Sequence, residues 1–251
     1  MAGGADNGAA GAVGYFGKLP LAGDFLRRAI APAFTEPWDA WLQALITEGR
    51  AAYGPAWQDT YFTAPIWRFA LPPGAAGPAA MVGTLMPSVD RVGRQFPFTL
   101  ATPVETADAF AAHEACAPLY ATLEETALAM LEDGVERAWL DHRIDGLAPP
   151  PIPGLPVAAL GPGAVALTAS PAARTAGLAG TVLAGHLRHP AIWSCTVAGD
   201  PGRLIATDGL PRGDAALALL DLAAPLWGAP APDPVDDILR GTDTASILGG
   251  A

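Results

Sequence analysis

The sequence predicts an α/β protein of the α+β type, in which a largely antiparallel central sheet is flanked by helices. Two observations lead to this prediction. Runs rich in strand-forming residues alternate with helical patterns along the chain. Three of those runs follow one another with only short, turn-rich connections between them, and consecutive strands joined in this way pair antiparallel.

Length and composition limit the class of protein. The 251 residues suffice for one large domain or two packed halves, and 51% of them are hydrophobic, which is typical of a globular chain. The formal net charge of -11 argues against nucleic acid and anionic lipid as ligands, because both are bound through clustered Lys and Arg. The sequence has neither a membrane-spanning apolar run nor a signal-peptide pattern, so we expect a cytoplasmic protein without direct membrane insertion.

The first elements are a strand and a long helix. Residues 1–12 are rich in Gly and Ala and are predicted to form a flexible arm, after which "VGYFGKLP" has the composition of a strand at 13–18. Apolar residues then recur with helical spacing, from Thr35 as the predicted N-cap, through Pro37 in the first turn, to Gly54 as the stop signal.

Three strands and a helical region follow. The strands are predicted at 66–71, 79–86 and 96–103. Residues 106–133 have a helical pattern that Pro118 should kink or divide, and a short second helix is predicted at 134–140. The predicted core positions of the helical region are Phe110, Leu119, Leu123, Leu128 and Leu131. This order of elements resembles that of longin-like and profilin-like domains, a likeness of fold that implies no function.

The second half is predicted to be a smaller α/β region packed on the first. The Pro-rich stretch "LAPPPIPGLP" separates a domain at 13–146 from this region at 147–227, and a weakly packed Pro- and Asp-rich tail occupies 228–251. The later elements are predicted as a strand at 164–169, a helix at 172–187, strands at 191–198 and 203–209, and a helix at 213–222.

The residues capable of catalysis or metal binding do not form a recognisable motif. Ser88 and Asp90 in "PSVD" lack the context of a nucleophilic serine and are interpreted as turn-capping residues. His186 and His189 lie three positions apart without a third ligand nearby, and neither "DHRID" nor "PVDDIL" fits a cation-binding loop, so all of these groups are interpreted as solvated. We therefore predict no catalytic residue, no metal and no cofactor.

The cysteines and most of the tryptophans are interpreted as core residues. Cys195 lies in an apolar run, and Cys116 has no cationic neighbour in the sequence that would lower its pKa. A ligand cage is the alternative role for the tryptophans, but helix and strand spacing favours core packing for Trp38, Trp41, Trp57 and Trp67.

The connection "PSVDRVGRQ" between the second and third of the three strands is longer than a hairpin turn requires. Pro87 fixes one backbone dihedral, and Gly93 permits a positive φ. We predict that the Asp90 carboxylate pairs with Arg91 or Arg94 and fixes the loop. Two interpretations stay open, since the loop is either an internal clasp alone or a clasp that presents a remaining guanidinium to a partner.

Five sequence blocks occur in order along the first half: GKLP at 17–20, GDF at 23–25, PWDxWL at 37–42, WRF at 67–69 and PSVDxVGRxFPxT at 87–99. Together they resemble the N-terminal domain of the TagF family, also called ImpM, which is associated with bacterial type VI secretion. The motif residues that we single out are Gly17, Pro20, Gly23, Asp24, Trp38, Asp39, Trp41, Trp67, Pro87, Ser88 and Gly93.

The resemblance implies a cytoplasmic, non-enzymatic protein that represses type VI secretion after translation. It implies binding to the forkhead-associated scaffold protein of the secretion system, which hinders assembly of the apparatus, and it implies no cofactor. The predicted partner-binding residues are Asp90, Arg91 and Arg94. The alternatives from other classes are a hydrolase or phosphatase that acts on a secretion component, and a structural accessory subunit of the apparatus.

Overall fold

A seven-stranded antiparallel sheet forms the centre of the computed structural model, which describes residues 11–152, 154, 157–159, 165–167, 170–197 and 200–228. The strands are β1 (Gly14–Gly17), β2 (Leu26–Arg28), β3 (Trp67–Leu71), β4 (Ala80–Met86), β5 (Phe98–Val104), β6 (Val157–Ala159), β7 (Val165–Leu167), β8 (Pro190–Val197) and β9 (Asp200–Asp208). The sheet has the order β2-β1-β5-β4-β3-β8-β9, while β6 and β7 form a separate two-stranded antiparallel sheet. Every paired strand is antiparallel to its neighbour, which confirms the predicted fold class.

Helices cover both faces of the sheet. They are α1 (Pro32–Tyr53), α2 (Trp57–Thr63), α3 (Ala109–Ala115), α4 (Ala117–Ala129), α5 (Arg137–Ile144), α6 (Pro171–His186), α7 (Asp214–Leu220) and α8 (Pro225–Gly228). Helices α1, α2 and α7 enclose an aromatic core on one face, and α3, α4 and α5 enclose a second core on the other. Because the side chains of a strand alternate between the two faces, the sheet contributes to both cores.

The C-terminal half extends the sheet of the N-terminal half. Strand β8 pairs with β3 through Arg68↔Ser194 and Ala70↔Ile192, and β9 then forms the outer edge. The division of the chain at residue 147 stays a prediction. Residues 1–10 of the predicted arm and residues 229–251 of the predicted tail, including Asp236 and Asp237, lie outside the described residues.

The predicted start of the long helix is wrong. Helix α1 begins at Pro32, so Ala31 and not Thr35 occupies the N-cap position, while Gly54 ends the helix as predicted. Pro32 suits the first helical position because its fixed φ is helical and its missing N–H would have had no partner there. Pro37 therefore lies inside the helix, one turn later than the sequence signal indicated.

The helical region after β5 differs from its prediction in register. A break at Cys116 separates α3 from α4, with Pro118 in the first turn of α4, which confirms the predicted division. Leu119 and Leu123 are buried as predicted, but Leu128 and Leu131 are exposed. The buried face of α4 continues instead through Ala127 to Met130, and Leu131 follows the end of the helix. Phe110 is partly buried, and the second helix, α5, begins three residues later than predicted, at Arg137.

The predicted elements of the C-terminal half are present with small shifts of their ends. Helix α6 and strands β8 and β9 match the predicted helix and strands, and β7 lies within the predicted strand at 164–169. Strand β6 was missed, because its three residues directly follow the stretch whose prolines indicated a connection.

Candidate functional site

The loop between β4 and β5 has a fixed backbone. Val89 and Gln95 form an isolated antiparallel bridge, and the N–H of Phe96 donates to the carbonyl of Ser88 at 3.0 Å. The Asp90 N–H donates to the carbonyl of Arg94 at 3.1 Å, and Gly93 closes the turn with φ of 83°. The hairpin ladder thus continues to the tip of the loop, and Gly93 supplies the positive φ that the sequence predicted.

The Asp90 carboxylate holds the tip together. Its Oδ1 accepts hydrogen bonds from the N–H groups of Val92 (3.1 Å) and Arg94 (2.9 Å). Its Oδ2 accepts from Arg94 Nε at 2.6 Å and from Lys18 Nζ at 3.1 Å. The predicted pairing of Asp90 is therefore confirmed with Arg94 as the partner.

The environment of Asp90 favours its charged form. Burial of the side chain acts to raise the pKa of the Asp90 carboxyl. The hydrogen bonds from the Arg94 and Val92 amides and from the Lys18 and Arg94 side chains outweigh burial and hold that pKa well below its usual range. The carboxylate is therefore ionised at neutral pH and binds two cations.

Three of the five sequence blocks meet at this loop. The Arg91 N–H donates to the carbonyl of Ala22 at 2.9 Å, and Arg94 Nη2 donates to the carbonyl of Gly23 at 2.6 Å. Lys18 comes from the GKLP block and Gly23 from the GDF block. A Cβ at Gly17 would collide with the Pro97 carbonyl, so the glycine permits the close approach of the first and last blocks.

One cation on the loop faces solvent without a partner among the described residues. Residues 91–94 are exposed, with Val92 at 70%. Arg94 is committed to Asp90 and Gly23, whereas the Arg91 guanidinium forms no hydrogen bond or ion pair within the described part of the chain. Of the predicted partner-binding residues, Asp90 is thus buried and holds the loop, Arg94 is bound to Asp90 and Gly23, and the Arg91 side chain is exposed.

Ser88 does not cap the turn. Its backbone is held by Tyr61, whose hydroxyl donates to the Ser88 carbonyl (2.7 Å) and accepts from the Ser88 N–H (3.0 Å). Burial raises the pKa of Tyr61 well above its usual value, which keeps the hydroxyl neutral. The Ser88 hydroxyl is buried and has no hydrogen-bond partner among the described residues. The predicted capping role belongs to Asp90 alone.

The motif tryptophans belong to the core. Trp38, Trp41 and Trp67 are each at most 5% exposed. Their Nε1 groups donate to Thr99 Oγ1 (2.9 Å), the Pro211 carbonyl (2.8 Å) and the Leu219 carbonyl (2.7 Å), respectively. Because the aromatic faces pack on other rings, these side chains stabilise the fold and do not line a ligand cage.

The cysteines lie as predicted, whereas only one histidine of "HLRHP" is solvated. His189 is partly buried, its N–H donates to Asp208 Oδ1 at 2.7 Å, and its Nδ1 lies 3.9 Å from the same oxygen, which corrects its interpretation as a solvated group. Cys195 is buried, and burial raises the pKa of Cys116 to about 11, which keeps its thiol unreactive. His186 is exposed in the last turn of α6. Within the described residues, no three His, Cys, Asp or Glu side chains form a group that could hold a metal ion.

The "DHRID" carboxylates are paired, which corrects their interpretation as solvated charges. Asp141 accepts from Tyr15 Oη at 2.9 Å and from Arg28 Nη1 at 3.3 Å, and Asp145 accepts from Arg28 Nη2 at 2.6 Å. Desolvation and the Asp141 carboxylate raise the pKa of Tyr15. The network connects α5 to β1 and to the edge strand β2.

A chain of polar groups links α3 to β8. His113 Nε2 lies 2.8 Å from Ser194 Oγ, and His113 Nδ1 lies 3.3 Å from Glu114 Oε1. These distances resemble those between a nucleophilic serine and its base. The pair could not be predicted from the sequence, because Ser194 lies 81 positions from the histidine. Ser194 is held inside the ladder between β3 and β9, and burial lowers the pKa of His113. We interpret the pair as a structural link between the two halves.

A family model and a solved structure both match the chain. The TagF N-terminal domain, described as type VI secretion system-associated, matches residues 14–147. The crystal structure of PA0076 from Pseudomonas aeruginosa PAO1 is similar with a TM-score of 0.73 and 32% sequence identity, over 88% of this chain and 97% of that one. No curated protein matches the sequence. No helix among the described residues has the length and apolarity needed to cross a membrane. The chain belongs to the TagF family of type VI secretion system-associated proteins.

Proposed function

We propose that the protein represses type VI secretion after translation, in the cytoplasm, by binding the forkhead-associated scaffold protein of the system and hindering assembly of the apparatus. The observation that carries the proposal is the exposed Arg91 guanidinium on a loop whose shape is fixed by Asp90. A repressor that acts by occupying a surface needs such a contact and no reactive group, so we propose no enzymatic activity.

The fixed loop favours binding for an entropic reason. A loop that is ordered before association loses little conformational freedom when the complex forms. The Asp90 clasp and the contacts to Ala22 and Gly23 provide that order. They leave Arg91 to form charge-assisted hydrogen bonds with an acidic group of the partner.

The test is the affinity of the purified protein for the purified scaffold protein, measured by calorimetry. We expect Arg91→Ala to weaken binding about 10- to 100-fold, as the loss of a central charged contact does. The melting midpoint should change by no more than about 1 °C, because the exposed guanidinium forms no hydrogen bond or ion pair with the described residues. Arg212→Ala, which removes an exposed arginine beside α7, is the matched control and should bind normally.

Two outcomes contradict the proposal. If Arg91→Ala binds as tightly as Arg212→Ala, the loop is an internal clasp without a contact role. If the protein co-purifies in fixed stoichiometry with the assembled apparatus, it is an accessory subunit. Arg94→Ala is informative beside these variants: it removes part of the clasp, so we expect it to lower both the melting midpoint and the affinity.

A further inference from the structure

A surface depression of about 290 Å³ lies between the GDF block and the first turns of α1. It is lined by Phe16, Phe25, Thr35, Glu36 and Asp39. The aromatic residues come from β1 and the loop that follows it, and the two carboxylates come from the helix. Phe25 and Asp39 both belong to the sequence blocks. The β4–β5 loop that carries Arg91, here called the candidate contact loop, contains neither of them, so its proposed role does not explain their presence.

The aromatic wall of the depression is rigid although it is exposed. Phe25 is 47% exposed, yet its ring stacks on Phe16 at 5.7 Å and meets Phe96 edge-on at 4.7 Å between centroids. Lys18 Nζ lies 5.0 Å from the centre of the same ring. The exposed Phe25 ring is thus held in one position by its neighbours while water still reaches part of it.

The acidic wall lacks a cation. Glu36 is exposed and forms no ion pair with the described residues. Asp39 is half-buried, and the hydrogen bond that it accepts comes from the neutral Gln43 amide at 2.6 Å. Two negative charges therefore line an apolar depression, in a protein whose formal net charge is -11.

We propose that this depression receives a basic side chain, Arg or Lys, of the partner protein. The aliphatic stem of that side chain packs on Phe16 and Phe25, and its charged head pairs with Glu36 and Asp39. This inference rests on the proposed function and specifies the partner surface.

The depression borders the candidate contact loop. Phe25 follows Gly23 by two residues, and the Gly23 carbonyl accepts the hydrogen bond from Arg94. The partner therefore presents an acidic group to Arg91 and a basic side chain to the depression. Such an arrangement of opposite charges fixes the orientation of a complex and excludes partners with the reverse pattern.

The first experiment measures the affinity of the scaffold protein for the double variant Glu36→Gln Asp39→Asn. We expect about tenfold weaker binding and a smaller dependence on salt, because two charges leave the interface while its shape is kept. The control is Glu48→Gln Asp59→Asn, which removes the same charge from exposed positions on α1 and α2. If both double variants bind equally well, the inference fails even where Arg91→Ala confirms the proposed function.

The second experiment does not depend on the scaffold protein. N-acetyl-arginine amide is titrated into the ¹⁵N-labelled full chain, with N-acetyl-citrulline amide as its uncharged counterpart. We expect the amide signals of Phe25 and Asp39 to shift with the arginine compound alone, and these shifts to vanish in Glu36→Gln Asp39→Asn. Equal shifts with both compounds, or none with either, overturn the inference. If the scaffold protein does not bind the wild-type chain at all, the proposed function fails, and this titration still decides the role of the depression.

Discussion

At the scale of single residues, Asp90 shows which contacts a sequence reveals and which it hides. Its pairing with an arginine of the same turn was predictable, because Gly93 marks that turn, but the sequence left the choice between Arg91 and Arg94 open. Its second cation, Lys18, lies 72 positions away and could not be inferred, since spacing says nothing about which loops meet in space. Ser88 was misassigned for a related reason: its surroundings are set by Tyr61, which comes from a distant helix.

We expect Asp90→Asn to lower the melting midpoint by about 5 to 10 °C at neutral pH, because it leaves Lys18 buried without its counter-charge. The folded pKa of Asp90 lies below its unfolded value of about 3.9, so the carboxylate contributes stability above that pH. This contribution is lost as the pH falls below about 4 toward the folded pKa. Thermal melts should therefore show a constant difference between variant and wild type from about pH 8 to 5, and a shrinking one below about pH 4.

The control for this prediction is Asp24→Asn. Asp24 is an exposed acid of the neighbouring GDF block, and it forms no hydrogen bond or ion pair within the described structure. Its substitution should leave the melting midpoint unchanged. A difference between Asp90→Asn and wild type that persists unchanged at low pH would show that the lost stability does not arise from the carboxylate charge.

At the scale of elements, the hydrophobic pattern identified most helices and strands, and local signals placed some of their ends wrongly. Helix α1 starts earlier than predicted because Pro32 and Pro37 are both acceptable near a helix start, and sequence alone does not choose between them. At the end of α4, Leu128 and Leu131 suggested a buried stripe, but the small Ala127 is the residue that packs in the core. Which residues of a helix are buried depends on where the neighbouring elements pack, and the hydrophobicity of the sequence alone does not show this.

We expect Trp41→Ala to lower the free energy of unfolding by about 3 to 5 kcal/mol, the range for truncation of a buried aromatic side chain. Trp41 is 5% exposed, and its ring lies 4.8 Å from that of Trp38 and 5.3 Å from that of Trp193. Chemical denaturation measures the change. Trp139→Ala is the control, because that tryptophan is 41% exposed on α5 and its loss should cost less than about 1 kcal/mol. Similar losses in the two variants would place Trp41 outside the core.

At the scale of the whole molecule, the order of strands was the part that the sequence could not provide. The three central strands follow one another along the chain, so their antiparallel pairing was predictable. The pairing of β8 with β3 depends on which edge of the sheet the later strands join. The Pro-rich connection before them does not indicate that edge. The proposed partner-binding surface could not be predicted from the sequence for the same reason, because its parts come from β1, the following loop, α1 and the β4–β5 connection.

We expect the described structure to unfold as one cooperative unit, although the family domain matches only residues 14–147. The C-terminal half completes the N-terminal core: Trp193 stacks on Trp38, and the indole groups of Trp41 and Trp67 donate to carbonyls of residues 211 and 219. Removal of that half would expose the edge of β3 and leave buried donors without partners.

Denaturant unfolding followed by tryptophan fluorescence and by far-ultraviolet circular dichroism tests this expectation. The two probes should report coincident single transitions for the full chain. A fragment ending at residue 147 should be less stable than the full chain or should aggregate, because β3 then presents an unpaired edge beside exposed aromatic rings. Two separate transitions in the full chain, or a fragment as stable as the whole, would mean that the N-terminal domain folds on its own. In that case β8 and β9 add to a sheet that is already complete, and the core tryptophans do not need the acceptors at residues 211 and 219.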